Sequence, residues 1–565
     1  MPRLLTLLVT VTVLAVGACT SDVSSGGPKS PGGPRSIEGC DPAMQAAFDA
    51  WADAGFSGSV AISVGSEPVC RAAYGIADRS SGAPNEVRTV FSIGSVTKAF
   101  TAAAVLDLAD KNVVQLDAPA GHLLPELTGP AATVTVRQLL LHTSGLTGSH
   151  GSDYVPLDRA AATEAMGSLE LAFAPGTAFL YSNAGYTLLA LIIEKVSGLS
   201  YREYVTSRLL KVSGAPIAAG FWNGEPAAPQ PRVVGYREDG SAGDGTDFGG
   251  PYWAVEGNGG IAMTMAELAR WSDALFGGQV LTAAATATLT TLRFDRGDGV
   301  AEIPGWVAFD RARYGEPAYA SAGGGGTGLN VVVAVLPESG RVIAFGSNTA
   351  DVSAEDLLDA VGTALVTGAP LPLPQAGNDV DPAAVAALTG TYRLDSGGMF
   401  TVSAAQDRLA IAARGADAVE TLFPLPDGFS RDEVAEHEAA VRSMLVAPQT
   451  AAGRDERGSI ERSVGPIDRV TLAGTVVRDN ELRTYVEINS GSTEHLFWYA
   501  LDKAGGIAAA EVDAAPPTLL LRPDGAEYRP DDPTGRGADR TVRFDKADTM
   551  TIDGPAGARS AARVR

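Results

Sequence analysis

The chain has 565 residues, a formal net charge of −23 at neutral pH and a hydrophobic content of 45%. Such a length holds more than one domain and a sizeable core, and with 66 glycines and 34 prolines the chain falls short of low-complexity or collagen-like composition. Its acidic balance repels a phosphate backbone, which excludes nucleic acid as a partner.

The first elements in the chain read as an address. Arg3 precedes an apolar stretch, Leu4 to Val16, that is too short to span a bilayer and reads as a signal peptide over residues 1–18. It ends in Val16-Gly17-Ala18-Cys19, which resembles a bacterial lipobox with Cys19 as the lipidated mature terminus. The expected location is the extracytoplasmic side of a bacterial cell membrane, held there through Cys19, with secretion as the alternative. Residues 19–39, rich in Ser, Gly and Pro, form a flexible tether. With Cys19 acylated, Cys40 and Cys70 remain as an even pair, and either a disulfide or two buried thiols fits them. The cysteines and five histidines show no Cys-x-x-Cys or His-Glu-x-x-His spacing, so neither a metal nor another cofactor is expected.

Next come alternating strand-like and helical patterns. Ser59–Val64 and Arg71–Ile76 read as one hairpin, and Leu329–Leu336 and Arg341–Ser347 as another around Pro337-Glu338-Ser339-Gly340. Between them Thr97–Leu108, Thr187–Val196 (closed by Gly198) and Met265–Leu275 have helical periodicity or apolar content. The expectation for residues 40–368 is an α+β domain. Its antiparallel sheet is built from both ends of the segment and flanked by helices, with an all-helical insert. Pro370, Pro372 and Pro374 mark a linker at 369–381. Beyond it, the runs Met399–Ser403, Leu409–Ala412, Arg469–Val477, Leu482–Ile488, Leu496–Leu501 and Thr518–Leu521 predict a β-rich domain over 382–565, a sandwich or small barrel, with one helix at Arg431–Leu445.

The chemistry begins at Ser95-Val96-Thr97-Lys98, where Phe91-Ser92-Ile93-Gly94 gives way to the Thr97 helix. Residues i and i+3 share a helix face, so the Lys98 amine reaches the Ser95 hydroxyl. The helix N-terminus aims free N–H groups and a partial positive charge at the same point. Alone, Ser-x-x-Lys is a weak signal, even in a chain with seven lysines. Tyr181-Ser182-Asn183 adds context: a tyrosine beside a cation can act as a base, and an amide can hold a substrate carbonyl or orient the lysine.

Together with Val136-Arg137-Gln138-Leu139-Leu140-Leu141-His142-Thr143-Ser144-Gly145-Leu146 and Gly259-Gly260-Ile261-Ala262-Met263-Thr264 leading into Leu268-Ala269-Arg270-Trp271, these pieces resemble the serine β-lactamase and penicillin-binding-protein superfamily, in its class C branch with D,D-peptidases and related esterases. The resemblance runs from Gln45 to Ala350. It implies that fold and an acyl-enzyme mechanism with Ser95 as nucleophile. Lys98 and Tyr181 would share general-base and general-acid duty, and Asn183 would contact the substrate amide or ester. The Ser95 N–H and that of Gly325 would form the oxyanion hole, with Gly323 and Gly324 beside it. The family's third motif, Lys or His followed by any residue and Gly, falls on Ala322 by count from Val333-Ala334-Val335-Leu336-Pro337. The cation is missing there, which leaves Arg311 or Arg313 as a substitute.

Gly323, Gly325 and Gly328 match Gly-x-Gly-x-x-Gly but precede a strand, which excludes a dinucleotide fingerprint. Glycines at this place let a substrate backbone approach the strand edge. No Gly-x-Ser-x-Gly elbow occurs, and His142 reads as a hydrogen-bonded loop organiser. The expected function is a cell-envelope serine hydrolase, of esterase or D-amino-acid peptidase type, acting on a small ester, peptide or cell-wall-derived substrate. Ala322 tilts the choice toward neutral esters. The alternative is a non-catalytic binder of cell-wall fragments or β-lactams that retains the fold; the retained Ser95, Lys98, Tyr181 and Asn183 favour the enzyme.

Overall fold

The computed structural model describes residues 33–564 except 148–149, 152, 154, 238–239, 244–247, 325–326, 376–380, 406–407, 427–428, 450, 479–480, 502–506, 512–513, 534–536, 538, 546–547 and 556. Cys19, the signal peptide and most of the tether therefore lie outside the described residues, as does Gly325.

Among the described residues, nine antiparallel strands form the main sheet: β1 (Arg35–Glu38), β2 (Gly58–Val64), β3 (Glu67–Tyr74), β4 (Phe294–Gly297), β5 (Val300–Ile303), β6 (Trp306–Phe309), β7 (Ala318–Gly323), β8 (Asn330–Leu336) and β9 (Arg341–Ser347). Their order is β1-β3-β2-β9-β8-β7-β6-β5-β4. The two ends of the segment meet where β9 pairs with β2, Phe345 opposite Val60, which puts the early and late hairpins side by side. The strands β4 to β6 escape the sequence pattern because each is four residues long, and β4 is largely exposed. A four-residue run shows too little alternation to separate strand from loop.

Each face of this sheet carries its own apolar layer. On one face, α1 (Pro42–Asp53) and α5 (Ala354–Thr367) pack through Phe48, Trp51, Leu357 and Val361. Asp41 accepts from the Ala43 and Met44 amides to start α1, with Pro42 in its first turn. A Ser353–Asp356 capping box opens α5, and Gly368 at φ 73° closes it. On the other face lies the helical lobe, whose centre is α2 (Thr97–Asp110) with α3 (Asn183–Ser197) and α4 (Met265–Phe276). Residues 97–106 of α2 are all buried. A helix apolar all round belongs inside a lobe rather than on its surface, and that buried position fixes Ser95 at its head. Cys40 and Cys70 form a disulfide that ties the start of α1 to β3.

After the linker the chain forms a closed barrel and an insertion. The barrel strands are β10 (Gly390–Leu394), β11 (Met399–Ala405), β12 (Arg408–Arg414), then β17 to β21, spanning Thr518–Asp524, Glu527–Pro530, Thr541–Asp545, Thr549–Asp553 and Arg559–Arg563. Pairing of β10 with β21 closes the ring, and Tyr392, Phe400, Leu409, Leu521 and Met550 are buried in its core. Between β12 and β17 the chain leaves the barrel. It builds a four-stranded sheet from β13 (Arg469–Arg478), β14 (Glu481–Ser490), β15 (Thr493–Leu501) and β16 (Ile507–Glu511). Helices over Arg431–Val446 and Ala451–Val464 cover this sheet through Val441, Leu445 and Ile460. The β-rich region is thus a barrel carrying a sheet-and-helix insertion.

Candidate functional site

Ser95 stands in a single 3-10 turn, Gly94–Val96, that leads into α2. Gly94 has φ 48°, and a Cβ there would lie 3.2 Å from both the Gly323 carbonyl carbon and the Gly324 nitrogen, so glycine is required by conformation and by space. One helical turn on, Lys98 Nζ donates to Ser95 Oγ at 2.9 Å. The lysine is only 3% exposed, and its second acceptor is the Asn258 carbonyl at 3.1 Å. That carbonyl is held in place by the loop 254–261. Thr101 donates to the Gly257 carbonyl, the Asn258 amide group donates to Thr187 and to the Ala254 carbonyl, and the Ile261 N–H donates to Thr97.

Tyr181 stands next to the lysine, its hydroxyl 2.9 Å from Ser95 Oγ and its ring centroid 4.8 Å from Lys98 Nζ. It is 47% exposed, so the nucleophile is reached from solvent past the phenol. Ser182 caps α3 by accepting from the Gly185 N–H, which sets Asn183 as the first helical residue. Among the described residues the buried Asn183 Oδ1 has no hydrogen-bond partner. His142 organises this loop: it is buried, its Nδ1 accepts from the Ser182 N–H at 3.0 Å, and its ring stacks on Tyr181. Burial, with the Lys98 and Arg296 charges, holds its imidazole well below the usual histidine value.

The Gly-rich strand end behaves differently from expectation. A Cβ on Gly323 would meet the Ile93 carbonyl oxygen at 2.2 Å and the Ser95 nitrogen at 2.6 Å. The backbone that needs this space is the chain's own, not a substrate's. Gly324 follows directly beside Gly94, and its backbone nitrogen adjoins the Ser95 turn; the expected role of Gly325 falls outside the described residues. Ala322 packs into the layer of α1 and α5, on the sheet face away from Ser95. Arg311 is paired with Glu338 and Arg313 with Asp359 of α5, so neither serves as the substitute cation. A cation that sequence inspection overlooked, Arg296 of β4, lies 4.2 Å over the Phe179 ring and 2.7 Å from Glu302. Burial pushes the Glu302 carboxyl up to about 7. Among the described residues no group of three or more His, Cys, Asp or Glu side chains could hold a metal ion.

A serine hydroxyl within 2.9 Å of both an amine and a phenol, at the head of a buried helix and beside a glycine strand, is an arrangement that can carry out acyl transfer. The family model described as Beta-lactamase matches residues 45–367, more than half of the chain, and the chain belongs to that family. Penicillin-binding protein 4* of Bacillus subtilis (strain 168) is 24% identical over 393 residues, 65% of this chain and 86% of that protein. Protein flp of Staphylococcus aureus (strain MW2) is 34% identical over 146 residues, 24% of this chain and only 29% of that protein. Among solved structures, the octameric penicillin-binding protein homologue from Pyrococcus abyssi superposes with a TM-score of 0.53 at 18% identity, covering 92% of this chain and 99% of that one. That likeness in fold extends past the linker into the β-rich region.

Proposed function

We propose that this protein hydrolyses a neutral ester or amide through an acyl-Ser95 intermediate. The observation that carries the reading is the Ser95 hydroxyl, 2.9 Å from both Lys98 Nζ and the Tyr181 hydroxyl. Ser95 Oγ attacks the carbonyl carbon while its proton passes to the Lys98–Tyr181 pair. The Ser95 and Gly324 N–H groups stabilise the oxyanion. The pair then returns the proton to the departing alcohol or amine, the acyl group remains on Ser95, and water releases it by the same steps. Asn183 contacts the substrate's amide or ester carbonyl through its side-chain amide N–H. Neutral acyl donors are favoured because Ala322, Arg311 and Arg313 bring no cation to the strand beside Ser95. An envelope location rests on the first nineteen residues of the sequence alone.

Incubation with a fluorophosphonate and with activated esters tests the assignment. Mass spectrometry is expected to find the label on Ser95. Turnover is expected to vanish in Ser95→Ala and to fall by about a thousandfold in Lys98→Ala, as for loss of a member of a catalytic unit. Absence of label together with unchanged turnover in Ser95→Ala would overturn it, and saturable binding without turnover would favour the non-catalytic binder.

A further inference from the structure

We infer that His142 is the positioning residue of Tyr181, a neutral imidazole that carries the phenol ring on its face and sets the reach of the hydroxyl to Ser95. The inference rests on the hydrolase reading above and adds to it a residue that touches neither Ser95 nor substrate. Three rings form a pile. Tyr181 lies on His142 with centroids 4.4 Å apart and planes inclined by 29°, and His142 lies against Tyr186 at 5.0 Å and 35°. The Tyr186 hydroxyl donates to the Leu140 carbonyl, two residues before His142, which anchors the base of the pile. Phe179 meets the imidazole edge-on at 6.0 Å.

Both chain neighbours of Tyr181 are also bound to this residue. The Leu180 N–H donates to the His142 carbonyl at 2.8 Å and the Ser182 N–H donates to His142 Nδ1 at 3.0 Å. Tyr181 is thus held through its ring and through the backbone on either side. His142 itself has φ 54°, a left-handed conformation that is strained for a residue other than glycine. That strain is located at the point where the loop turns toward the nucleophile.

The imidazole supplies two things at once, a flat face and an in-plane acceptor. Acceptance at Nδ1 leaves the proton on Nε2 and so selects one neutral tautomer. The charged and titratable groups facing the ring are Lys98, Arg296, Tyr181 and Tyr186. A proton on Nδ1 would oppose the Ser182 N–H donor to donor and would add a second positive charge close to Lys98. Because an error of about 1 Å at a reacting group costs on the order of a hundredfold in rate, the platform matters although it takes no part in bond making.

His142→Asn is the informative change, since Asn tolerates a left-handed backbone and offers an acceptor but has no ring face. It is expected to lower kcat on an activated ester and the rate of Ser95 phosphonylation by about tenfold to a hundredfold, with KM within about twofold. Tyr181→Phe added to it should cost little more than Tyr181→Phe alone, because coupled residues fail to add. The 13Cζ resonance of labelled Tyr181, assigned by its loss in Tyr181→Phe, should shift in His142→Asn. Additive costs, or an unchanged kcat with an unmoved resonance, would overturn the proposal. If the wild-type protein neither turns over ester nor takes the label, the hydrolase reading fails, and the resonance alone then decides the positioning role. Should His142→Asn not fold, His142→Gln carries the same readouts.

Discussion

A side chain on a strand reaches one face of its sheet, and on β7 that rule decides what can stand beside the nucleophile. Tyr319 packs toward the helical lobe and Gly323 stands against Ser95, so Ser321 between them faces the same way, while Ala322 faces α1 and α5. A cation introduced at 321 is therefore aimed at the site, and one at 322 is aimed into an apolar layer. Ser321→Lys should raise kcat/KM for a carboxylate-bearing ester over its neutral counterpart by about tenfold, the ratio that some 1.4 kcal/mol of added attraction supplies. Ala322→Lys should leave that ratio unchanged and cost roughly 1–3 kcal/mol by overpacking. Selectivity that moved with 322 and not with 321 would refute this orientation. At the same scale, Ser95 and Lys98 were legible because a helix head and an i, i+3 spacing imply geometry, and Tyr181 through the Tyr181-Ser182-Asn183 segment that carries the resemblance. Asn258 was not. It holds Lys98 through a backbone carbonyl, which any residue type could supply, and only the folding of the loop 254–261 onto α2 reveals it. The strand register at 321–323 was equally hidden, because a run of glycines has no alternation to read.

That loop is an element held by a buried charge pair. Glu256, two residues before Asn258, accepts from Arg202, whose guanidinium lies between the Phe221 and Tyr252 rings and also donates to the Asn223 and Glu225 carbonyls. Burial outweighs the attraction of Arg202 and pushes the Glu256 carboxyl up to about 7, from a usual value of 4.5. The folded protein therefore keeps a proton on Glu256 that the unfolded chain releases between pH 4.5 and 7, and Glu302 behaves alike. Their contribution to stability is fully present below pH 4.5 and is lost as the pH rises through 7, with an upper magnitude of roughly 3 kcal/mol for Glu256. Denaturant unfolding across this window should show a falling free energy in the wild-type protein and a flatter dependence in Glu256→Gln, whatever that variant's absolute stability. Equal slopes would show that the pair does not titrate there. The two hairpins and three helices of the catalytic segment, like most strands of the β-rich region, followed from periodicity and turn residues. What periodicity could not tell was partnership. The β12 and β13 sequences look alike, yet one is a barrel strand and the other belongs to the inserted sheet.

For the molecule as a whole, the cores divide at the linker. The layers about the main sheet draw on residues up to Leu371, and the packing of the barrel and its insertion begins at Val385, the barrel core taking in Ala473, Val476, Tyr485 and Leu496 of the inserted sheet. The linker is tied at both ends, to the first unit where Trp51 Nε1 donates to the Pro372 carbonyl and to the barrel where the Gln375 N–H donates to the Pro533 carbonyl. Two such cores joined by a short proline segment should unfold as two calorimetric transitions, since cooperativity requires shared packing. The disulfide makes them separable. Cys40 and Cys70 close a loop with a sequence separation of 30 inside the first unit, worth about 3–4 kcal/mol in chain entropy of the unfolded state. Reduction, or Cys40→Ser with Cys70→Ser, should lower the transition to which Ser95 labelling is lost and leave the other in place. A single transition that moves as one on reduction would mean that the barrel and the catalytic unit share stability. The barrel would then be part of the hydrolase's structural support rather than a neighbour on a tether.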